Sequence, residues 1–314
     1  MIDGDRGLPG SALPWNTDVL PERDRGHAYR SVWNYLADVD FAIRHVVADG
    51  LRTRCLEAGD LGHDTIVLLH GTGGHLETFM ANIPVLAEKY HVLAIDMLGC
   101  GFTDKPDKPY EIADYAHHVK ATLEVLGITT AAFVGFSLGS WVATRIALED
   151  PALVNSLTLI SATGMFPLPG IPSTVALRRG TGANPSWDST QMILSDLFYD
   201  DATVIDDLVA VRQRVYSGPG LEAVMPRMLT LFDPEIRERN NFTADQWRSI
   251  RVPVLIVAHV DVEDVFLKTA RAAHELIPSS RIVEIGQSSH WAHFENPEPF
   301  NAALLDFLAD PSTA

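Results

Sequence analysis

The sequence predicts an α/β protein, a doubly wound and mostly parallel eight-stranded sheet interrupted by a block of helices. Three observations predict it. The runs TIVLLH (65–70), HVLAID (91–96) and AAFVGF (131–136) are apolar without alternation, which marks strands buried on both faces. Strand-like runs alternate with helical periodicity along most of the chain, the pattern of successive βα units. That alternation stops between about Thr163 and Arg248, where helical patterns follow one another for too long to be a crossover. The 314 residues, 46% hydrophobic and 21% charged, suffice for one large domain with an insertion.

Taken in order, strands are expected at Phe41–Val47 and Leu51–Ala58, an alternating pair suited to an antiparallel edge. Further strands are expected at Thr65–His70, Val92–Asp96, Ala131–Phe136, Ser156–Ala162, Pro253–His259 and Arg281–Ile285. Helical periodicity falls at Glu77–Glu88, Ile112–Leu126, Ser140–Glu149, Phe266–Leu276 and Pro299–Leu308. Within the interruption, Pro167, Pro169, Gly170 and Pro172 read as a linker. Helices then follow at Ser189–Tyr199, Val204–Tyr216 and Gly220–Thr230. The expected division is therefore a core of residues 1–162 and 248–314, with residues 163–247 as a helical lid over the carboxyl ends of the strands, where open α/β sheets bind ligands.

Charge and cysteine usage narrow the function classes. A net charge of −17 disfavours nucleic acid and anionic membranes, which demand clustered Lys and Arg. Two cysteines far apart in sequence, Cys55 and Cys100, form no disulfide framework and fit a reducing cytoplasm. The first residues carry no apolar core of a signal peptide. The uncharged stretches Val125–Thr144 and Pro151–Leu177 are broken by Gly or Pro and are not expected to span a membrane. Neither metal-ligand spacing nor a dinucleotide glycine motif is present, so no cofactor is expected.

The chemistry concentrates at Gly135-Phe136-Ser137-Leu138-Gly139, a G-x-S-x-G match between the strand AAFVGF and a following helix. Five such residues alone could be a glycine turn. At a strand–turn–helix junction they make a tight elbow that lifts the serine hydroxyl clear, so Ser137 is the expected nucleophile. An oxyanion site is expected from the main-chain N–H of Thr72, in the loop His70-Gly71-Thr72-Gly73-Gly74-His75, and that of Leu138. Among 12 histidines, His290 lies just past the last strand, where a base reaches back over the elbow, with His293 its rival. His70, His259 and His274 are expected to pack or cap.

Together these residues resemble the α/β-hydrolase fold, and more narrowly the meta-cleavage product hydrolases, which cut a carbon–carbon bond in vinylogous diketones from aromatic ring degradation. Asp96-Met97-Leu98-Gly99-Cys100-Gly101-Phe102-Thr103-Asp104-Lys105-Pro106 resembles that family's D-x-x-G-x-G-x-S-D-K-P, and the segment LIPSSRIVEIGQSSHWAHFENPEPFNAALLDFL resembles its carboxyl-terminal part. Leu208-Val209-Ala210-Val211-Arg212 resembles the lid segment that carries a substrate-binding arginine. The resemblance implies Ser137 as nucleophile or base and His290 as proton shuttle. It implies Arg212 on a substrate carboxylate or enolate, and Gly71, Phe136 and Trp291 around the substrate. Asp96 and Asp104 are read as structural.

Three departures qualify the resemblance. Phe136 stands where these hydrolases often have Asn, and the glycine loop is shorter than in biphenyl-type members. The family's acid position falls on Val262, flanked by Asp261, Glu263 and Asp264. Asp261 is the first choice to complete the triad and Asp264 the alternative. The expected activity is cofactor-free hydrolysis of a carbon–carbon bond in a small hydrophobic carbonyl substrate. An esterase or lactonase is the alternative, a ligand receptor without turnover comes third, and a homodimer is compatible with an acidic chain of this kind.

Overall fold

The strands Phe41–Ala48 (β1), Leu51–Ala58 (β2), Thr65–Leu69 (β3), His91–Ile95 (β4), Ala131–Phe136 (β5), Val154–Ile160 (β6), Val254–His259 (β7) and Ser280–Ile285 (β8) form one sheet. Its order is β1-β2-β4-β3-β5-β6-β7-β8. The first pair is antiparallel, β2 runs antiparallel to β4, and every later pairing is parallel. The architecture comes from a computed structural model that describes residues 31–168, 171–218 and 221–311. The amino-terminal stretch read for a signal peptide, together with Pro169, Gly170 and Gly220, lies outside those residues. No helix among the described residues is long and apolar enough to cross a membrane.

Among the described residues, twelve α-helices join and cover the strands. They are Ile83–Ala87 (α1), Ile112–Val125 (α2), Leu138–Glu149 (α3), Ile171–Ala183 (α4), Trp187–Ser195 (α5), Asp206–Tyr216 (α6), Leu221–Met228 (α7), Pro234–Asn240 (α8), Ala244–Ser249 (α9), Val265–Leu276 (α10), Ala292–Glu295 (α11) and Pro297–Ala309 (α12). The whole run α4–α9 lies between β6 and β7. The helix expected over Glu77–Glu88 is instead a 3₁₀ turn, Leu76–Phe79, followed by the short α1 with Pro84 in its first turn. The helix α4 begins within the stretch expected as linker. Pro172 stands second in that helix, where a missing N–H breaks no helical hydrogen bond.

Side-chain alternation along the central strands feeds two apolar clusters. Val67, Leu69 and Phe133 pack on one face with Trp141, while Ile66, Leu68, Val134 and Phe136 pack on the other with Trp291. Each fully buried aliphatic or aromatic side chain here contributes about 1.5–3 kcal/mol. Two histidines are sealed into the same interior. His118 joins α2 to β2 through Thr53 Oγ1, 2.8 Å from its Nε2. His293 lies among the rings of Phe79, Phe136, Trp291 and Phe300.

Burial favours the neutral imidazole, lowering His118 to about 4 and His293 to about 3. The unfolded chain, with imidazoles near 6.5, therefore binds more protons than the folded one below that pH. Stability should be flat above about pH 7 and fall as pH drops through the range between the two values. Each of these histidines should cost about 2 kcal/mol by pH 5. Urea unfolding at pH 7 and pH 5 checks this; equal midpoints would contradict a neutral, water-free setting for these rings.

Candidate active site

Ser137 ends β5 and caps α3 with φ 52 and ψ −113, a conformation that side-chain-bearing residues rarely adopt. Its neighbours show why the motif needs glycine. A Cβ at Gly135 would lie 2.4 Å from the Gly139 oxygen, and one at Gly139 would lie 2.0 Å from the Leu69 oxygen. Hydrogen bonds hold the bend from both sides. The Ser137 N–H donates to Ile160 O at 2.9 Å, while its carbonyl accepts from the N–H of Ser140 at 2.9 Å and from Ser140 Oγ at 2.6 Å. The hydroxyl is thereby presented to a cavity of about 250 Å³.

Thr72 and Leu138 line the same cavity. Leu138 opens α3, so its N–H has no helical acceptor and is free to face an anion. The loop carrying Thr72 is fixed by His70. The Nε2 of that ring accepts the Met97 N–H at 3.0 Å, which leaves the proton on Nδ1 to donate to Gly71 O at 2.7 Å. Burial holds this imidazole neutral, at about 3, as the arrangement requires. The loop's far end is tied to Asp96, which accepts the Leu76 N–H at 2.7 Å and pairs with Arg54 at 3.3 Å. Arg54 also binds Glu77 at 2.6 Å, and Glu77 binds His75 at 2.9 Å. Burial would raise Glu77, but His75 and Arg54 bring it down to about 2. Asp104 accepts the Arg52 N–H at 2.7 Å on the protein surface, away from the cavity.

His290 lines the cavity, with its ring 4.1 Å from that of Phe266 and 4.9 Å from that of Phe136, centroid to centroid. Its carbonyl accepts the Ser161 hydroxyl at 2.7 Å, which fixes the backbone at the end of β6. Burial, then the neighbouring His259, lowers the imidazole to about 3, against the pull of Asp264. A neutral ring is the form that takes a proton. Among the described residues no hydrogen bond joins it to Ser137, and its Nδ1 is buried without a partner. Such bonds are often open until substrate binds. His293, the rival base, is not on the cavity.

The structure does not bring Asp261 to His290. Asp261 is exposed, and its carboxylate accepts the Gln287 N–H. Val262 is half-buried, and Glu263 pairs with Arg271 at 3.2 Å. Of the acids in this turn, Asp264 is the one that lines the cavity. Because α10 starts at Val265, Asp264 is its N-cap, and Oδ1 accepts the N–H groups of Phe266 and Leu267, each at 2.9 Å. The same oxygen binds His259 Nε2 at 3.0 Å. Burial would raise this carboxyl; the bond from His259, the helix N–H groups and the nearby His290 keep it below the usual range. His259, expected to pack or cap, is buried outside the cavity lining and bonds the N-cap Asp264.

The rest of the cavity wall comes from both parts of the chain. Gly71 lies against Phe136, and Phe136 packs edge-on against Trp291 at 5.4 Å. Arg212 of α6 is 1% exposed and stands over the Trp291 ring at 5.7 Å. Its Nε is buried without a partner, and among the described residues it forms no ion pair. Two further buried arginines that sequence reasoning missed, Arg178 of α4 and Arg237 of α8, reach the same cavity. Nothing in the local sequence of either separates it from a solvated lid charge. No cluster of three or more potential metal ligands occurs among the described residues.

The chain matches the alpha/beta hydrolase family over residues 66–303. A 2-hydroxymuconate semialdehyde hydrolase of Pseudomonas sp. strain CF600 is 28% identical over 280 residues, covering 86% of this chain and 95% of that protein. A 2-hydroxy-6-oxo-6-(2'-aminophenyl)hexa-2,4-dienoic acid hydrolase of Metapseudomonas resinovorans is 30% identical over 275 residues, covering 85% of this chain and 90% of that one. A solved meta-cleavage product hydrolase variant from Pseudomonas fluorescens IP01 superposes with a TM-score of 0.74 at 25% identity, covering 85% and 97% of the two chains. With the elbow, the strand order and these likenesses together, the chain belongs to the alpha/beta hydrolase family, and its relatives there include meta-cleavage product hydrolases.

Proposed function

We propose that the protein hydrolyses a carbon–carbon bond in a vinylogous diketone that carries a dienoate carboxylate. The observation that supports this reading over a simple ester is Arg212. A buried guanidinium without a carboxylate partner is unfavourable unless an anion enters beside it. A substrate acid or enolate supplies one, whereas an uncharged ester does not.

In this reading the enol first becomes the ketone, its proton moving to carbon. Ser137 Oγ then attacks the remote carbonyl while His290 takes the hydroxyl proton. The N–H groups of Thr72 and Leu138 receive the tetrahedral oxyanion. The carbon–carbon bond breaks, its electron pair goes to the dienoate fragment, which takes the proton from His290 and leaves as the hydroxydienoate, and an acyl-serine remains. Water activated by His290 releases the acid and restores Ser137. Asp264 is the acid that orients His290, turning toward it from its bond with His259. Phe136 and Trp291 exclude water from the reacting carbons. A reducing cytoplasm is the proposed location, in keeping with the free, buried Cys55 and Cys100.

Bleaching of a yellow dienoate, measured beside p-nitrophenol release from a short ester, tests the reaction. Bleaching should dominate, and ester turnover without bleaching would favour an esterase. Ser137→Ala should lower the bleaching kcat by about four orders of magnitude or more. Asp264→Asn keeps a good N-cap but loses the charge, and should lower kcat about 10²–10⁴-fold. Asp261→Asn should change kcat little; the reverse ranking would return the acid role to Asp261. Since the free-enzyme imidazole is lowered to about 3, the acidic limb of kcat/KM should lie well below pH 6.5. A limb at the ordinary imidazole value would place His290 in a wetter setting than the one described here.

A further inference from the structure

We propose that the cavity contains a second anion site built on Arg237, so that the preferred substrate is a diacid with a carboxylate on the tail beyond the scissile ketone. The proposal rests on the carbon–carbon reading and refines its substrate class. It departs from the expected purely hydrophobic tail.

Arg237 is 4% exposed, yet it lines the same cavity as Ser137. Its guanidinium lies over the Trp141 ring at 4.8 Å. Nε donates to Phe166 O at 3.1 Å and Nη2 donates to Thr163 Oγ1 at 2.7 Å. Those two bonds use the side edge of the planar group. The end-on edge, Nη1 with the second proton of Nη2, is left over, and that fork matches a carboxylate. Among the described residues no carboxylate pairs with Arg237. The cavity's two acids, Asp196 and Asp264, form no ion pair with it, and the acids of its own helix, Glu235 and Glu238, are exposed. Burial alone lowers Arg237, to about 10, which still leaves it cationic at neutral pH.

The site is separate from that of Arg212. Arg212 stands over Trp291 and Arg237 over Trp141, and these two rings belong to the apolar clusters on opposite faces of the sheet. The two cations thus line the cavity of Ser137 against different rings. The charge of Arg178 weighs on Arg212, whereas Arg237 has no such neighbour. A substrate with its dienoate acid at Arg212 and its ketone at Ser137 directs its tail toward Arg237. A neutral tail would leave that cation buried and uncompensated; a tail carboxylate two or three carbons beyond the ketone would pair with it.

The test compares two dienoates that differ only in the tail, one ending in a carboxylate and one in a methyl group. The protein should show at least about a tenfold higher kcat/KM for the acid tail, mainly through KM. Arg237→Gln should erase that preference, and Arg237→Lys should restore part of it. A preference for the neutral tail, or an equal loss on both substrates in Arg237→Gln, would reduce Arg237 to a bracket between α8 and the segment after β6 and overturn the proposal. Glutarate and butyrate, which stand for the released acids, give an independent binding readout through tryptophan fluorescence. Glutarate should bind more tightly, with the difference lost in Arg237→Gln. If neither dienoate is bleached, the carbon–carbon reading fails alone; equal binding of the two acids sinks the second anion site.

Discussion

The backbone of Gly139 runs so close to the Leu69 carbonyl that not even a methyl group fits between them. Much of the active site depends on this contact. It sets the first turn of α3 against the end of β3, and so brings the free N–H of Leu138 beside the loop that holds Thr72. It also forces Ser137 into a backbone conformation that would be unfavourable elsewhere by roughly 1–3 kcal/mol. The parallel sheet over-determines that conformation. The Ile160 carbonyl takes the Ser137 N–H, and Ser140 takes its carbonyl oxygen, so relaxing the bend would break bonds on both sides.

Around this elbow the protein treats buried charge in two ways. Beneath the oxyanion loop, Arg54, Glu77, Asp96 and His75 satisfy one another, and a single substitution there would strand a charge in the interior. At the cavity, Arg212 and Arg237 are buried and form no ion pair among the described residues, and His290 is held neutral. The first group is a scaffold. The second is an environment with unspent electrostatic attraction, in which an incoming anion gains more than it would in water.

Most of this was legible in the sequence, and the exceptions have physical causes. All eight strands could be read within about two residues, because buried parallel strands leave an unbroken apolar run. Ser137 and His290 could be read because the elbow and the segment after β8 are fixed by chain order. The acid was harder. The turn after β7 holds Asp261, Glu263 and Asp264, and composition cannot choose among them. The choice depends on where α10 begins. An aspartate immediately before Val-Phe-Leu is an N-cap signal, and giving it weight would have placed Asp264 at the start of α10, where it lines the cavity. The helix α4 was hidden by Pro172, which reads as a linker when the proline stands in fact within a first turn. Arg178 was hidden with it. Arg237 shows no signal at all, since an arginine on a short polar helix looks like any solvated charge until tertiary packing covers it.

The groups proposed to make bonds and those proposed to sort substrates occupy different stretches of the polypeptide. Ser137, His290, Asp264 and the oxyanion N–H groups sit at the ends of sheet strands, whereas Arg178, Arg212 and Arg237 all arrive on the helices between β6 and β7. The two sets touch directly where Arg178 Nη1 donates to Thr72 O at 3.4 Å, and otherwise face each other across the cavity. Exchange of that one continuous segment between relatives can therefore redraw which acids are accepted while the reaction itself is inherited intact, and new diets can be acquired by grafting rather than by rebuilding.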